Sequence, residues 1–429
     1  MAEAFLRKHG MHPEQTDLLV LCENFFSEMT NGLEGAPSNL LMLPTYLSCE
    51  ARQAQDSVAA VIDAGGTHAR VARVRFYGHS EIPGPKTPLL EQLETFPMPG
   101  SQGQVSREAF FEAFVEKLAP LLPDCDALGF CFSFPCEILP TRDGRVLYFD
   151  KEVQVSNSQG MHLLELLNES LRRRGIDPPP GVVLNDTAAA LLGGAAQTDP
   201  EQWDGFLGLI WGTGLNVCYS EPVEQISKLK TVGSGSMLIN TESGIFSNVP
   251  TGDFDRELDA GSSMPGSHLY EKMVSGAYLG QVIGRTLSGA ARECRLPDQF
   301  SELQDLTTAE ADAFLVAPTG KNRLATLCQT EDERAFVQTV AELLYLRAAR
   351  LVSANLGAAL LRTDLGREPD HPACIVAEGS TLYKSKLLLP YLESTLTDFV
   401  VNRLGRHFRL LKPENANLVG SAAAALWNC

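Results

Sequence analysis

The chain has 429 residues, 44% of them hydrophobic and 21% charged, which is more than one ordinary core holds and matches a globular protein of about two or three domains. Its 35 basic and 53 acidic residues leave a formal charge of −18, which excludes the basic footprint that nucleic acids and anionic membranes require. No stretch approaches the ~18 apolar residues of a membrane span, and the N-terminal MAEAFLRKHGMHPEQ lacks an apolar targeting core. The ten cysteines are scattered singly, and the closest pair, Cys131 and Cys136, lacks zinc or redox spacing, so they read as buried thiols of a cytoplasmic protein.

From Pro13 to Gly32 the residues Leu18, Leu19, Leu21, Cys22, Phe25, Phe26 and Met29 recur at helical spacing and predict an amphipathic helix, stopped by Gly32 and Gly35. NLLMLPTYLS then reads as an irregular connector. Val58–Phe76, VAAVIDAGGTHARVARVRF, predicts a strand, a Gly-Gly turn and an alternating second strand. DALGFCFSFP predicts a buried strand ending at Pro135, and GVVLNDTAAALLGGAA a strand that passes directly into a helix. A second strand, glycine turn and strand fills Phe206–Glu221, FLGLIWGTGLNVCYSE, about 150 residues after the first, which suggests internal duplication. Residues 331–361 predict a long helix, ACIVAEGSTLYKS a last strand with its own glycine turn, and ANLVGSAAAALW a short terminal helix. The mixed order predicts the α/β class, with sheets covered by helices.

In IDAGGTHAR, Gly65 and Gly66 let backbone approach a ligand, Thr67 offers a hydroxyl to a phosphate oxygen, and Asp63 at the strand end is placed to hold Mg²⁺ through water. An ordinary tight turn satisfies the same pattern. Gly212, Thr213 and Gly214 repeat the chemistry, and two such loops in matched settings point to phosphate binding. In the third turn, Gly379 and Ser380 leave room for a flat purine ring against backbone. Asp186 follows VVL and Asn185 and precedes an Ala-rich helix; a carboxylate at the carboxyl end of a strand is where α/β enzymes put reacting groups, and a helix N-cap is the other role this position serves. Phosphoryl transfer needs positioning, charge neutralisation and a carboxylate that orients the attacking hydroxyl.

The series MLPTY, IDAGGTHAR, FSFP, YFDKEV, LNDTAA, GLIWGTGLNVCY, NTESGIF, PGSHLYEKMVSGAYLG and AEGSTLYKS resembles the hexokinase and glucokinase family in content and order, from about residue 24 to the C-terminus. The resemblance implies a two-lobed actin-like ATPase (ribonuclease H-like) fold of duplicated α/β domains around a cleft. It implies residues 1–57 as a helical segment on the large domain, 58–186 as the small domain and 187–429 as the large domain, with a helix at about 417–428 returning toward the small one. The implied reaction moves the γ-phosphoryl group of Mg·ATP to the 6-hydroxyl of glucose or a related hexose, with lobe closure on sugar binding. Asp186 is implied as base; Ser133, Pro135, Lys151, Asn185, Asp186, Asn240 and Glu293 as sugar contacts. Asp63, Gly65, Gly66, Thr67, Arg70, Gly212, Thr213, Gly214, Gly379, Ser380, Gly420 and Ser421 are implied as nucleotide contacts, with Mg²⁺ on Asp63 through water.

Three departures from the family pattern accompany it. The first sugar-binding glutamate is expected in the segment DAGSSMPG, where Ala260 follows Asp259. The residues around Lys151 are Asp150, Glu152 and Val153, and the adenosine loop is reduced to NLVGSAAA. Ala260 together with Asp150 motivates a second reading, a hexokinase-like sugar sensor with little turnover; a third is an actin-fold kinase with a non-sugar acceptor, in which only the ATP half of the resemblance holds.

Overall fold

The computed structural model describes residues 1–50, 56–77, 88–149, 153–230 and 234–429. In chain order the strands are β1 (Leu43–Pro44), β2 (Ser57–Ala64), β3 (His68–Phe76), β4 (Leu89–Pro97), β5 (Ala127–Phe132), β6 (Cys136–Ile138), β7 (Gly144–Val146), β8 (Gly181–Leu184), β9 (Gly205–Trp211), β10 (Leu215–Pro222), β11 (Ser236–Asn240), β12 (Ala373–Glu378) and β13 (Phe408–Leu411). The helices are α1 (Ala2–Lys8), α2 (Leu18–Glu34), α3 (Arg107–Leu118), α4 (Leu163–Arg173), α5 (Asp186–Gln197), α6 (Asp253–Ala260), α7 (Leu269–Val274), α8 (Leu279–Arg292), α9 (Thr308–Val316), α10 (Arg323–Leu327), α11 (Glu331–Thr363), α12 (Ser380–Lys384), α13 (Leu388–Leu396) and α14 (Ala416–Asn428).

The strands form one sheet of order β4-β3-β2-β5-β8 and another of order β1-β11-β10-β9-β12-β13, with β6 and β7 paired separately. Apart from β1 the two orders correspond strand for strand. The antiparallel hairpin β2/β3, closing at Ala64↔Ala69, matches β9/β10, closing at Trp211↔Leu215. Parallel β5 beside β2 matches parallel β12 beside β9. Outer β8 and β13 are parallel again. The duplication visible in two glycine-turned hairpins therefore extends over both sheets, and the mixed α/β architecture in two lobes is that of the actin-like ATPase fold. β2 and β5 are apolar and buried on both faces, as central parallel strands must be, whereas polar β4 takes an edge and leaves Leu89 and Leu93 exposed.

Two Ala/Gly-rich helices, α5 and α14, cross between the sheets. Their small side chains let backbones touch: a Cβ on Gly420 would sit 1.7 Å from the Ala189 carbonyl oxygen, and one on Gly193 2.2 Å from that of Ala416. Val182 and Leu184 of β8, Cys218 of β10 and Leu238 of β11 share one apolar cluster with these helices, so this packing joins the two sheets.

The N-terminal helix starts later than expected. Asp17 caps α2 by accepting the Leu19 N–H at 2.9 Å, Pro13–Gln15 forms its own short turn, and Gly35 ends α2 at φ +77°. Leu18, Leu21, Cys22, Phe25 and Met29 bury its apolar face. α11 begins on a Thr330/Glu333 capping box and runs 33 residues, longer than one face of the core requires because it packs against α2, α8 and α13. The expected last strand, β12, is followed by β13, whose short half-buried FRLL lacks a strong pattern. Among the described residues no helix is long and apolar enough to cross a membrane.

Candidate active site

Parallel β2, β5 and β8 end side by side: Asp63 is in register with Cys131, and Cys131 with Leu184. Two residues past Leu184 the chain enters α5. Asn185 is its N-cap, accepting the Ala188 N–H at 3.0 Å, so Asp186 stands at the first helical position and is relieved of the capping role. The α5 dipole and free amides favour negative charge there. Burial, together with the nearby Asp63 and Asp186 carboxylates, pushes the Cys131 thiol well above its ordinary range.

Asp186 opens onto a cleft of about 430 Å³. Ser133, Phe134, Pro135 and Asn185 line its small-sheet side, and Thr213, Gly214, Asn216, Glu242, His268 and Glu271 its large-sheet side. The polar groups on the large side are held by a hydrogen-bonded chain. Asn216 Nδ2 donates to Asn240 Oδ1 at 2.6 Å, and Asn240 Nδ2 donates to Glu242 Oε1 at 2.7 Å. Asn216 Oδ1 in turn accepts the Val217 N–H at 2.8 Å. Glu271 comes from α7 and accepts the Leu215 N–H at 3.1 Å. Its carboxylate is embraced by glycines: a Cβ on Gly214 would lie 2.7 Å from Glu271 Oε2, and one on Gly244 3.1 Å from the same atom.

The glycine turns lie at the same sheet ends. Gly65 N–H donates to the His68 carbonyl at 3.2 Å, which leaves Thr67 exposed at the tip. Arg70 Nε donates to Asp63 Oδ2 at 2.9 Å, and its Nη2 reaches the same oxygen, so the nearly buried Asp63 carboxylate is charge-paired. The second and third turns are locked together. The Gly212 carbonyl accepts Thr381 Oγ1 at 2.8 Å and the Gly276 N–H at 2.9 Å, while the Thr213 carbonyl accepts the Ala277 N–H at 3.1 Å. Gly379 at φ +124° must be glycine, since a Cβ would meet the Trp211 carbonyl oxygen at 2.2 Å. Ser380 is exposed beside it.

Two family models, each described as hexokinase, match residues 206–427 and 4–196. The chain belongs to the hexokinase family. Glucokinase of Aspergillus niger is 26% identical over 391 residues, 79% of this chain and 79% of that protein. Hexokinase-9 of Oryza sativa subsp. japonica is 28% identical over 434 residues, 93% of this chain and 84% of that protein. Mouse hexokinase-1 is 28% identical over 403 residues, and this chain spans 88% of itself but only 40% of that longer relative. Among solved structures, the hexokinase of Schistosoma mansoni complexed with glucose aligns over 100% of both chains with a TM-score of 0.79 and 23% identity, a likeness of fold.

Within this hexokinase fold, several expected contacts lie elsewhere. Glu293 sits past the end of α8, away from the cleft, where its Oε1 accepts Lys8 Nζ at 2.5 Å and faces His9 Nε2 at 3.0 Å. Counting along the sequence cannot tell which end of α8 faces the cleft; the glutamates that do line it are Glu242 and Glu271. Glu242 stands inside NTESGIF, Glu271 inside LYEK and Asn216 inside GLNVCY, so the motifs carry the signal although spacing alone does not single these residues out. Ala260 ends α6 and leaves position 260 without a carboxylate, and neighbouring Asp259 pairs with Lys272 at 2.6 Å. Asn240 is 5% exposed and lies behind Asn216 and Glu242, so it orients the wall without forming it. Gly420 and Ser421 are buried in α14, where Ser421 Oγ donates to the Asn417 carbonyl at 2.6 Å and a Cβ on Gly129 would meet the Ser421 oxygen at 2.1 Å. Helix packing occupies them, and they do not reach the cleft. Lys151, with Asp150 and Glu152, lies outside the described residues.

Proposed function

We propose that this chain is an ATP-dependent hexose kinase, transferring the γ-phosphoryl group of Mg·ATP to the 6-hydroxyl of glucose or a related hexose. The supporting observation is the cleft that brings Asp186, relieved of capping by Asn185, together with Asn216, Glu242, Glu271 and the Thr213–Gly214 turn. Asn185, Asn216, Glu242 and Glu271 supply the donors and acceptors that a ring of hydroxyls needs, with Ser133 and Pro135 as the facing wall. Asp186 accepts the proton of the attacking hydroxyl, a role worth about 10²–10⁴-fold in rate. Gly66, Thr67, Thr213 and Gly214 offer N–H groups and hydroxyls to the phosphates, Gly65 and Gly212 close the two turns with their own N–H groups and let backbone approach, Arg70 adds a positive charge, and Gly379–Ser380 a backbone face for the base.

A magnesium ion carried by nucleotide needs one or two carboxylates and keeps several waters. Asp63 near the end of β2 and Asp186 just past the end of β8, with β5 between the two strands, fit that requirement, although among the described residues no group of three or more His, Cys, Asp or Glu converges on an ion. The ion supplies neutralisation of phosphate charge; the protein's own residues orient the hydroxyl and take its proton. We further read residues 58–186 and 187–429 as lobes that close on the sugar, expelling water so that the hexose and not solvent attacks ATP. Ten unpaired cysteines suit a reducing cytoplasm. The sensor reading draws its motive from Ala260 and Asp150, whereas Glu242 and Glu271, which line the cleft, favour the kinase reading. A coupled assay with Mg·ATP and a panel of glucose, mannose, fructose and glucosamine tests the proposal. Sugar phosphate from at least one member is expected; binding of hexose with no product from any member would leave the sensor reading in its place.

A further inference from the structure

Behind the large-sheet wall of the cleft, the segment from Asp259 to Ser267, DAGSSMPGS, links α6 to α7 and brings Ser263 and Met264 to the cleft. With glycines at 261 and 266, its backbone is tied within the segment by two short turns, Ser262 N–H to the Asp259 carbonyl at 3.0 Å and Ser267 N–H to the Met264 carbonyl at 3.3 Å. Two side chains, Lys272 and Asp259, brace it. Lys272 Nζ donates to Asp259 Oδ1 at 2.6 Å, to the Met264 carbonyl at 2.8 Å and to Ser262 Oγ at 2.9 Å. Those bonds use all three N–H donors of an ammonium. Asp259 closes the loop from the other end, accepting the Gly266 N–H at 2.8 Å on Oδ2 and 3.1 Å on Oδ1. The Lys272 side chain is 5% exposed. Burial pushes the Asp259 carboxyl up, but Lys272 and the Gly266 N–H outweigh it and hold it below the usual carboxylate range.

Lys272 directly follows Glu271 on α7, so the same helix turn carries the cleft carboxylate and the post that fixes the loop beside it. Met264 is 52% exposed although it lines the cleft, as is Tyr148 at 46% on the opposite side. An apolar side chain left this open at a site whose backbone carbonyl is bound by a buried ammonium is being presented, and the cleft is where it is presented.

We propose that Lys272 is a positioning residue for acceptor recognition: by holding the Asp259–Ser267 loop it sets Ser263 and Met264 as the outer wall against which the hexose is seated beside Glu271. This rests on the hexose-kinase reading of the cleft. Lys272 acts through the loop, since its donors are spent there. Lys272→Met keeps the aliphatic stem and removes the donors, so the loop loses its anchor while the phosphate turns at 65–67 and 212–214 keep theirs.

The test is calorimetric binding of glucose and of ATP to the full chain, which does not depend on turnover. For Lys272→Met the glucose Kd is expected to rise about tenfold, as for loss of a charge-assisted hydrogen-bond set, with the ATP Kd changed less than about twofold. Met264→Ala is expected to raise the glucose Kd less, and to add almost nothing in the Lys272→Met background, because both changes act on one wall. Should Lys272→Met not fold, Ser262→Ala decides, removing one of the three acceptors: a glucose Kd raised about threefold with ATP binding unchanged supports the assignment. A glucose Kd unchanged in Lys272→Met, or in Ser262→Ala where that variant decides, overturns it, as do equal losses for glucose and ATP. A wild-type chain that binds no hexose at all overturns the hexose-kinase reading and this assignment together; a wild-type chain that binds glucose no better than Lys272→Met overturns only the assignment.

Discussion

Substituting Gly214 by alanine separates binding from stability at the cleft. The added Cβ would lie 2.7 Å from Glu271 Oε2 and 3.5 Å from its Cδ, closer than a carbon and an oxygen tolerate. Gly214 is not held at positive φ, so the backbone accepts alanine, and what must give is the far end of a flexible side chain. Displacing that carboxylate breaks its 3.1 Å bond to the Leu215 N–H, a hydrogen bond to a charged group worth about 1.5–3 kcal/mol. If Glu271 must stand there to receive a sugar hydroxyl, the hexose Kd should rise by roughly 10- to 150-fold, at about 1.4 kcal/mol per decade. Melting temperature should fall by only about 2–3 °C, the size set by the lost Leu215 bond over so long a chain. Calorimetry with glucose beside a thermal melt reads both. A folded Gly214→Ala protein that binds glucose within twofold of wild type would refute the role given to Glu271.

Asn240→Ala removes the acceptor for Asn216 and the donor to Glu242, so hexose affinity should fall roughly 5- to 50-fold with ATP affinity unchanged, measured by calorimetry, although Asn240 itself stands behind the wall. Glu293→Gln should leave the hexose Kd within about twofold, because it loses only its contacts with Lys8 and His9; a tenfold loss would return Glu293 to the sugar site. Glu378, at the end of β12, has its carboxyl raised by burial against the lowering effects of Lys412, the Gly379 N–H and Arg70. Folding therefore disfavours its charged form, and that penalty builds as pH rises from the ordinary value of 4.5 toward the folded value and is complete above it. Glu378→Gln should raise the melting temperature at about pH 8, with the gain vanishing below the ordinary value of 4.5, where both states are protonated; a gain independent of pH would contradict this.

What could be read before folding was whatever short-range pattern controls. The β2/β3 and β9/β10 hairpins declared themselves by apolar strands around glycine turns, and β8 passing into α5 by VVL, a capping residue and an alanine run. The duplication followed, because equal local units built equal sheets. Asp186 was legible as a residue, but only the structure gives the cap to Asn185. Glu242 and Glu271 were not legible as site residues because their placement depends on contacts far along the chain: Glu271 needs glycines at 214 and 244 to approach β10, and Glu242 needs Asn240 to orient it. Gly420 and Ser421 misled for a physical reason: a Gly/Ser/Ala run serves a phosphate turn and a close helix crossing equally well, and α14 uses it for the second. The partner of Asp259 was not legible either, because Lys272 lies a helix away in α7 and only folding brings the two together.

The account stands on Asp186 as the base of a phosphoryl transfer to hexose. Asp186→Asn keeps size and hydrogen-bonding capacity while removing the basic carboxylate, so kcat for the best hexose should fall about 10²–10⁴-fold with glucose and ATP Kd values within severalfold of wild type. Turnover by Asp186→Asn within tenfold of wild type would contradict the assignment at its centre.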